Sequence, residues 1–307
     1  MILRFLLIIF FVNILNAYKV DNNNSIFNVS NNAKINALGG LHIMSDDVSG
    51  LFKQPVNLEN YNKGDSYYSY LKYFENLFHV YQFGICIVSN KDKNISFGIL
   101  KRSINNIPNT SDAWTFNENG PDFNQINYNQ IKKMSDNEIG FLVSYSRQLL
   151  KELSFDLKIK PTLHIINNKK AHGIGLDIIL VKKHLKANFI LGCEDLFLYK
   201  KWDGGASEKY NLNPFINLSF YVNKLFISIE HSKNSNFNYG FEYEIYKQFF
   251  IRFSNEKTFG LGIKTNVIDF DFAYIPDNFL KSYKTLTQYS LIIKLDGIKK
   301  LYKELEI

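Results

Sequence analysis

A chain of 307 residues with 17 glycines and 6 prolines is long enough for one large or two ordinary domains, and this composition excludes collagen-like and proline-rich disordered proteins. Aromatic side chains make up 16% of the residues, which favours β-strands. The net charge of +7 could attract nucleic acid or an anionic membrane. The lysines are spread along the chain and no nucleic-acid-binding motif occurs, so we predict no nucleic-acid partner.

The first 17 residues, MILRFLLIIFFVNILNA, have the layout of a secretory signal peptide. Arg4 precedes an apolar core that runs from Phe5 to Val12, and cleavage is predicted after Ala17. The apolar run is too short for a transmembrane helix, and no later stretch has eighteen consecutive apolar residues. The sequence therefore predicts an exported protein that is secreted, periplasmic or an outer-membrane barrel.

A compact stretch from Ala33 to Leu58 follows a polar, asparagine-rich lead. The Gly39-Gly40 pair permits a turn with positive φ. Ser45-Asp46-Asp47 has the composition of a helix N-cap, and the apolar residues after it predict a short helix that Pro55 ends. Local signals alone thus predict a turn, a short helix and a stop, as in an ordinary N-terminal loop.

The rest of the chain consists of short stretches in which apolar and polar residues alternate, as in β-strands. Most approach the length of about nine to eleven residues that a tilted strand needs to cross a bilayer. We predict fourteen strands, at residues 67–74, 77–89, 93–102, 138–148, 153–167, 172–182, 185–195, 212–222, 225–232, 237–246, 248–255, 258–265, 267–276 and 285–295.

The alternation places charged residues on one face of a strand and apolar residues on the other. In Ser154–Ile165 the polar face carries Asp156, Lys158, Lys160 and His164, while large apolar residues occupy the other face. A transmembrane barrel and a soluble β-sandwich both produce this pattern, so alternation leaves the two open.

Connection lengths favour the barrel. Every second connection is short, and the two longest, Ser103–Asn137 and Leu196–Asn211, fall on the opposite side. Outer-membrane barrels have short periplasmic turns and long extracellular loops. Both long stretches contain a tryptophan, and Trp114 and Trp202 are our candidates for extracellular recognition.

Residues that would carry catalysis are not arranged in any recognisable motif. The six histidines lack zinc-type spacing, and no nucleophile elbow or phosphate-binding loop occurs. Asp46 and Asp47 could ligate calcium, although helix capping and a polar contact to the lumen wall explain them as well. Cys86 and Cys193 do not make a disulfide framework. We predict no enzyme activity, no cofactor and no metal.

Several segments resemble one known family. ALGG at Ala37–Gly40 and SDDVSGLF at Ser45–Phe52, followed by Pro55, resemble the N-terminal signature of the PorV/PorQ family. These are outer-membrane barrels related to the FadL-type fatty-acid transporters. The chain departs from the family's Asn-Pro-Ala triplet, since Gln54 and Val56 flank the proline. Further similar segments follow in order along nearly the whole mature chain, among them IPNTSDAW, LVSYSR, GIGLDIIL and GFEYE.

The resemblance and the strand pattern together predict an all-β fold, a fourteen-stranded antiparallel transmembrane β-barrel with an N-terminal hatch segment inside it. The expected boundaries are a signal peptide at 1–17, a lead and hatch at 18–65, the barrel at 66–296 and a periplasmic tail at 297–307. The expected location is the outer membrane of a diderm bacterium, with outer-membrane lipid as a partner.

Two functions follow from the resemblance. The first is a component of protein secretion or cell-surface assembly of the type IX kind, with cargo proteins or secretion-machinery subunits as partners. The alternative is a FadL-like channel that takes up a hydrophobic small molecule and has an apolar pocket lined by Phe52. In both, the hatch motif has a structural or gating role, and its residues are Gly39, Gly40, Asp46, Asp47, Phe52 and Pro55. A soluble exported β-sandwich is the third possibility.

Overall fold

The computed structural model describes residues 18–20, 25–29, 32–73, 78–117, 120–233, 237–276 and 286–305. The predicted signal peptide lies outside the described residues. Fourteen antiparallel strands form one closed barrel around the N-terminal segment, and each of the fourteen predicted stretches holds one of these strands. The predicted fold class is therefore confirmed.

The barrel closes because its last strand pairs with its first, from Ile293 opposite Ser66 to Thr287 opposite Lys72. Every other barrel strand pairs with its neighbours in sequence. The barrel strands are β2 (Ser66–Tyr73), β3 (Phe78–Ser89), β4 (Lys93–Asn109), β7 (Lys132–Leu150), β8 (Leu153–Ile166), β9 (Lys169–His184), β10 (Ala187–Trp202), β12 (Asn213–Val222), β13 (Leu225–Ser232), β14 (Phe237–Tyr246), β15 (Phe249–Ser254), β16 (Phe259–Lys264), β17 (Ile268–Ile275) and β18 (Leu286–Ile293).

Four short strands lie outside the barrel circuit. β5 (Trp114–Asn117) and β6 (Gly120–Ile126) form a hairpin between β4 and β7. β11 (Ser207–Tyr210) pairs with the end of β10, and β1 (Tyr18–Val20) pairs in parallel with β11.

Burial is inverted relative to a soluble protein. The charged face of β8, with Asp156, Lys158 and Lys160, is almost fully buried in the lumen. Large apolar side chains point outward on the wall, for example Leu191 at 49% and Phe253 at 45% exposure. A soluble sandwich buries its apolar face, whereas a barrel in lipid exposes it. The closed barrel and its apolar exterior overturn the β-sandwich alternative.

The two ends of the barrel differ in their connections, as the sequence predicts. One end, here called the short-turn end, carries the brief turns at residues 90–92, 151–152, 185–186, 223–224, 247–248 and 265–267. The other, the long-loop end, carries the segment 110–131 with its hairpin. In the outer-membrane layout the short-turn end faces the periplasm.

Both predicted long loops are wrong in extent. β4 continues as far as Asn109, and β7 begins already at Lys132. Both strands stay paired beyond a register shift, where Asn106 has φ of 61°. Most of Leu196–Asn211 is also strand, because β10 continues to Trp202 beyond an irregularity at Asp195, with φ of 50°. A bulge breaks the period of two in the sequence while the hydrogen-bonded ladder continues beyond it.

Helices are few and short. Helix α1 spans Ala33–Ala37, and single 3₁₀ turns span Ile26–Val29, Val48–Phe52 and Tyr128–Gln130. Helix α2 spans Leu295–Leu305 and directly follows the last barrel strand, so it begins two residues before the predicted tail. Within the described ranges, no helix combines the length and the apolar character needed to cross a membrane.

Candidate functional site

The N-terminal segment occupies the lumen of the barrel. We use the term hatch for its described residues between Ser25 and Asp65. Its apolar side chains are almost completely buried, with 0% to 2% exposure: Ile26, Phe27, Ile35, Leu38, Leu41, Ile43, Val48, Leu51, Phe52 and Val56. These side chains are buried because they pack against each other and against the barrel wall.

The first half of the hatch is a short helix with both ends capped. The Asn32 side chain accepts a hydrogen bond of 2.7 Å from the Ile35 N–H and so caps α1. Gly39 and Gly40 follow with φ of 83° and 79°, and the Gly40 N–H donates to the Ile35 carbonyl. Positive φ at both positions favours glycine and ends the helix.

The second half is organised by the acidic pair. Asp47 caps the Val48–Phe52 turn by accepting from the Ser49 N–H at 3.0 Å. Asp46 accepts instead from the amides of Asn57 and Asn60, at 2.6 and 3.0 Å. The carbonyl of Pro55 accepts from the Ser45 N–H at 2.8 Å, which closes the segment on itself. Among the described residues, no cluster of metal-ligating side chains is present.

One side of the hatch packs on apolar wall residues. Leu51 and Phe52 belong to a single buried cluster with Tyr67, Cys86, Leu100, Leu142 and Ile292 of the wall. These five wall residues lie on β2, β3, β4, β7 and β18, which are neighbours in the barrel. We call this contact between hatch and wall the apolar seam.

Glycines allow the seam to close tightly. A Cβ atom at Gly98 would lie 2.8 Å from the Leu51 Cδ1 and the Phe52 Cζ, and one at Gly140 would lie 2.9 Å from the Phe27 Cζ. Both distances are shorter than ordinary carbon contacts. The Phe52 ring also lies 6.3 Å from the Tyr67 ring. Where the sequence predicts an open apolar pocket around Phe52, the structure has a filled and closed seam.

A histidine fastens the opposite side of the hatch. The His42 ring lies 3.0 Å from a carboxylate oxygen of Glu230 and 3.0 Å from one of Glu194. Its main-chain N–H also donates to Glu230 at 2.6 Å, and the ring stacks on Phe215 with centroids 3.7 Å apart. Lys53, also in the hatch, lies 3.2 Å from Glu194. We call this cluster the His42 latch.

Electrostatics hold the latch closed. Burial by itself would lower the pKa of His42, but the carboxylates of Glu230 and Glu194 outweigh it and raise the pKa to about 9. The imidazolium is therefore the main form at neutral pH, and each ring nitrogen lies 3.0 Å from a glutamate carboxylate oxygen.

Other wall side chains satisfy the hatch backbone. The Lys158 ammonium donates to the carbonyls of Leu51 and Gln54, each at 2.8 Å. The Ser290 hydroxyl accepts from the Ala33 N–H at 2.9 Å, and the Thr258 hydroxyl donates to the Ala37 carbonyl at 2.8 Å. A buried backbone group without a hydrogen-bond partner costs free energy, so these bonds favour the docked position of the hatch.

Several other charged side chains of the lumen pair with each other. Arg252 lies 2.6 Å from Glu242 and 2.7 Å from Asp271, and Lys200 lies 2.6 Å from Glu138. Of the two aspartates that alternate on β17, Asp271 thus belongs to a wall network, as does Asp269 through Lys294 at 2.7 Å. Such pairs close the polar side of the lumen around the hatch.

A polar cavity of about 450 Å³ opens at the short-turn end. We call it the vestibule, and its lining is Asp46, Asp47, Glu59, Asn60, Asn62, Asp65, Lys264, Asn266, Asp269 and Lys294. The acidic pair of the hatch motif therefore lies where the hatch meets this space, whereas Phe52 lies in the seam.

The two candidate recognition residues differ in setting. Trp202 is part of the wall, because its Nε1 donates to Glu208 at 2.6 Å and its ring lies 5.1 Å from that of His164. Trp114 begins the hairpin at the long-loop end, where it pairs with Ile126. Only Trp114 thus lies in a projecting loop.

Sequence reasoning missed the latch. His42, Glu194 and Glu230 are far apart in the chain and belong to no motif. The only available signal was that each glutamate occupies an inward position in its strand. That signal does not indicate which hatch residue each glutamate meets.

Comparisons with known proteins agree with the barrel. No family model and no curated protein matches the chain. The P. putida toluene transporter TodX superposes with a TM-score of 0.55 at 11% identity, over 85% of this chain and 96% of that chain. A TodX deltaS2S3 mutant, described as a monoaromatic hydrocarbon channel, superposes with a TM-score of 0.56 at 10% identity, over 85% of this chain and 97% of that chain. The Ralstonia pickettii toluene transporter TbuX superposes with a TM-score of 0.51 at 12% identity, over 87% of this chain and 98% of that chain.

At these identities the similarity shows a shared fold. The chain shares its barrel fold with TodX and TbuX over nearly the full length of those chains. Membership of the PorV/PorQ family remains an expectation from the sequence.

Proposed function

We propose that this protein is an outer-membrane channel of the FadL type that takes up a hydrophobic small molecule, with the hatch as its gate. The observation that carries the proposal is the apolar seam, which has more residues than the other buried apolar clusters of the described chain and spans five neighbouring strands. A hydrophobic solute is excluded from charged surfaces and favours an apolar path. Displacement of Leu51 and Phe52 from the seam would open such a path beside the hatch.

The fixed and movable parts of the gate follow from the contacts. The wall strands are joined by ladders of backbone hydrogen bonds, whereas the hatch is held to the wall mainly by side-chain hydrogen bonds and apolar packing. Lids and plugs are drawn from segments of low local stability. The TodX and TbuX barrels, which are described as hydrocarbon channels and toluene transporters, support the same class of solute.

Uptake by cells tests the proposal. The chain is expressed in a bacterial host that lacks its own hydrophobic-compound channel, and entry of radiolabelled toluene and of a long-chain fatty acid is measured. We expect uptake of at least one of them above that of the empty host. The seam variant Leu142→Asp should reduce uptake because it places a carboxylate on the apolar path.

Ser219→Asp is the matched control, since Ser219 also faces the lumen but lies outside the seam. Both variants are checked for folding by heat-modifiability on gels. Uptake equal to that of the empty host, or an equal loss in both folded variants, contradicts the channel proposal.

A role in secretion or surface assembly is the second candidate. One side of the wall is much taller than the other, since β4 has 17 residues and β7 has 19, whereas β15 and β16 have 6 each. This wall ends in the hairpin with Trp114, which offers a raised surface to a protein partner. Deletion of residues 114–127 separates the two functions. Loss of cargo secretion or display with unchanged uptake supports assembly, and loss of uptake alone contradicts it.

A further inference from the structure

Helix α2 has an apolar face with no protein cover. With 100° per residue, Leu295, Ile298, Leu301, Tyr302 and Leu305 fall on one side of the helix. The last three of these are 45%, 66% and 75% exposed. The opposite side carries the charged residues of the helix.

The helix starts against the rim of the barrel. The Leu295 N–H donates to the Asp65 carboxylate at 3.0 Å, and the Leu295 side chain packs on Gly64. Gly297 contacts the main chain of Asn266, in the turn between β16 and β17, so closely that a side chain there would clash. These contacts hold the first turn of α2 on the rim of the barrel at the short-turn end.

The apolar face continues the lipid-facing surface. Leu295 is two residues beyond Ile293, which lies on the outward face of β18 and pairs with Ile268 of β17. Ile268 is 42% exposed, and Ile263 on the neighbouring strand is 39% exposed. The apolar side chains of α2 therefore begin where the lipid-facing band of the barrel ends.

The charged side of α2 suits the headgroup region of a phospholipid bilayer. Lys299, Lys300 and Lys303 are exposed on the polar side, against two acidic residues in the helix, Asp296 and Glu304. A short helix with lysines on one side and leucine and tyrosine on the other binds at the headgroup level of a bilayer.

We propose that α2 is an interfacial anchor, which lies in the phospholipid leaflet at the short-turn end of the barrel with Leu301, Tyr302 and Leu305 inserted among the lipids. The lysines contact the headgroups and prefer anionic ones. The anchor fixes the depth of the barrel and holds the hatch exit at Gly64 and Asp65 close to the membrane. This role does not depend on what the barrel transports.

A fluorescent label tests the depth of the helix. Leu301→Cys and Lys300→Cys are made in the full chain with Cys86→Ser and Cys193→Ser, labelled with an environment-sensitive dye and reconstituted into phospholipid vesicles. Brominated lipids then quench the dye according to its depth. We expect several-fold stronger quenching at position 301 than at position 300, because position 301 lies on the apolar face of the helix and position 300 on its charged face.

The charge contribution is tested separately. Replacement of Lys299 and Lys303 by Glu should weaken quenching at position 301 in vesicles that contain phosphatidylglycerol. Equal, weak quenching at positions 301 and 300 in a barrel that is folded by heat-modifiability would overturn the proposal. The proposal would also be overturned if the dye at position 301 were shielded from water only when a second protein is added, and not by lipid alone.

Discussion

Gly98 sets how closely the hatch can approach the wall. Gly98→Ala places a methyl group 2.8 Å from Leu51 and Phe52, which is too close for carbon atoms. Overpacking of this kind costs about 1–3 kcal/mol. We predict weaker docking of the hatch, seen as faster protease cleavage within residues 33–65 while the barrel remains heat-modifiable.

Gly204→Ala is the control for Gly98→Ala, since nothing lies within 4 Å of the added methyl group. A second substitution, Phe52→Leu, removes the ring atom that the new methyl group meets and should restore part of the protection. If Gly98→Ala leaves cleavage of the hatch at the wild-type rate, the seam is looser than described.

His42 makes docking of the hatch depend on pH. Its pKa is about 9 in the docked state against an ordinary 6.5, so protonation favours docking, and the difference corresponds to roughly 3 kcal/mol. The stabilisation is fully present below pH 6.5 and is lost as pH rises through about 9. We expect cleavage of the hatch by proteinase K to accelerate over this interval.

His42→Gln should remove this pH dependence, because glutamine does not titrate. His172→Gln is the matched control, since His172 is exposed on β9 and makes no contact with the hatch among the described contacts. A wild-type profile in His42→Gln would show that other groups govern the pH response.

At the scale of single elements, each wall strand needs apolar side chains on the face toward the lipid, whereas its inward face accepts polar and charged ones. Leu191 lies in β10 and is 49% exposed toward the membrane. Leu191→Arg should destabilise the barrel by about 2–4 kcal/mol in phospholipid vesicles if the position lies near the bilayer centre. The measurement is equilibrium unfolding in urea.

Leu185→Arg is the matched control in the same hairpin. Leu185 lies in the turn between β9 and β10 and is 96% exposed, so an arginine there meets water and headgroups. Equal destabilisation by both substitutions would contradict the assignment of β10 to the membrane.

Strand positions were predictable because the alternation is local. In β8, each inward residue from Asp156 to His164 is polar, and the buried face follows directly from the sequence. Strand ends near bulges were not predictable, because a bulged residue such as Asp195 shifts the period while backbone pairing continues. The two long loops were overestimated for this reason.

At the scale of the whole molecule, the hatch was predictable as a compact segment and its docking was not. Gly39, Gly40 and Asp47 mark turns and caps through their own chemistry. Contacts such as His42 with Glu230 join residues 188 positions apart, and no local pattern encodes them. The resemblance to a hatch-containing family placed the segment inside the barrel, and only the three-dimensional arrangement distinguishes its apolar side from its polar side.

In the proposed channel, the hatch must move for a solute to pass. The amides of Asn36 in the hatch and Gln288 in β18 are hydrogen-bonded, so cysteines at these two positions can be bridged by a short reversible thiol cross-linker. The bridge is formed in a chain with Cys86→Ser and Cys193→Ser.

The measurement is uptake of a labelled hydrophobic compound before cross-linking, after it, and after reduction. We expect loss of uptake in the bridged protein and recovery when the bridge is reduced, with no change in a variant that carries only one of the two cysteines. Unchanged uptake through a barrel whose hatch is fully cross-linked to the wall would show that solute passes without movement of the hatch.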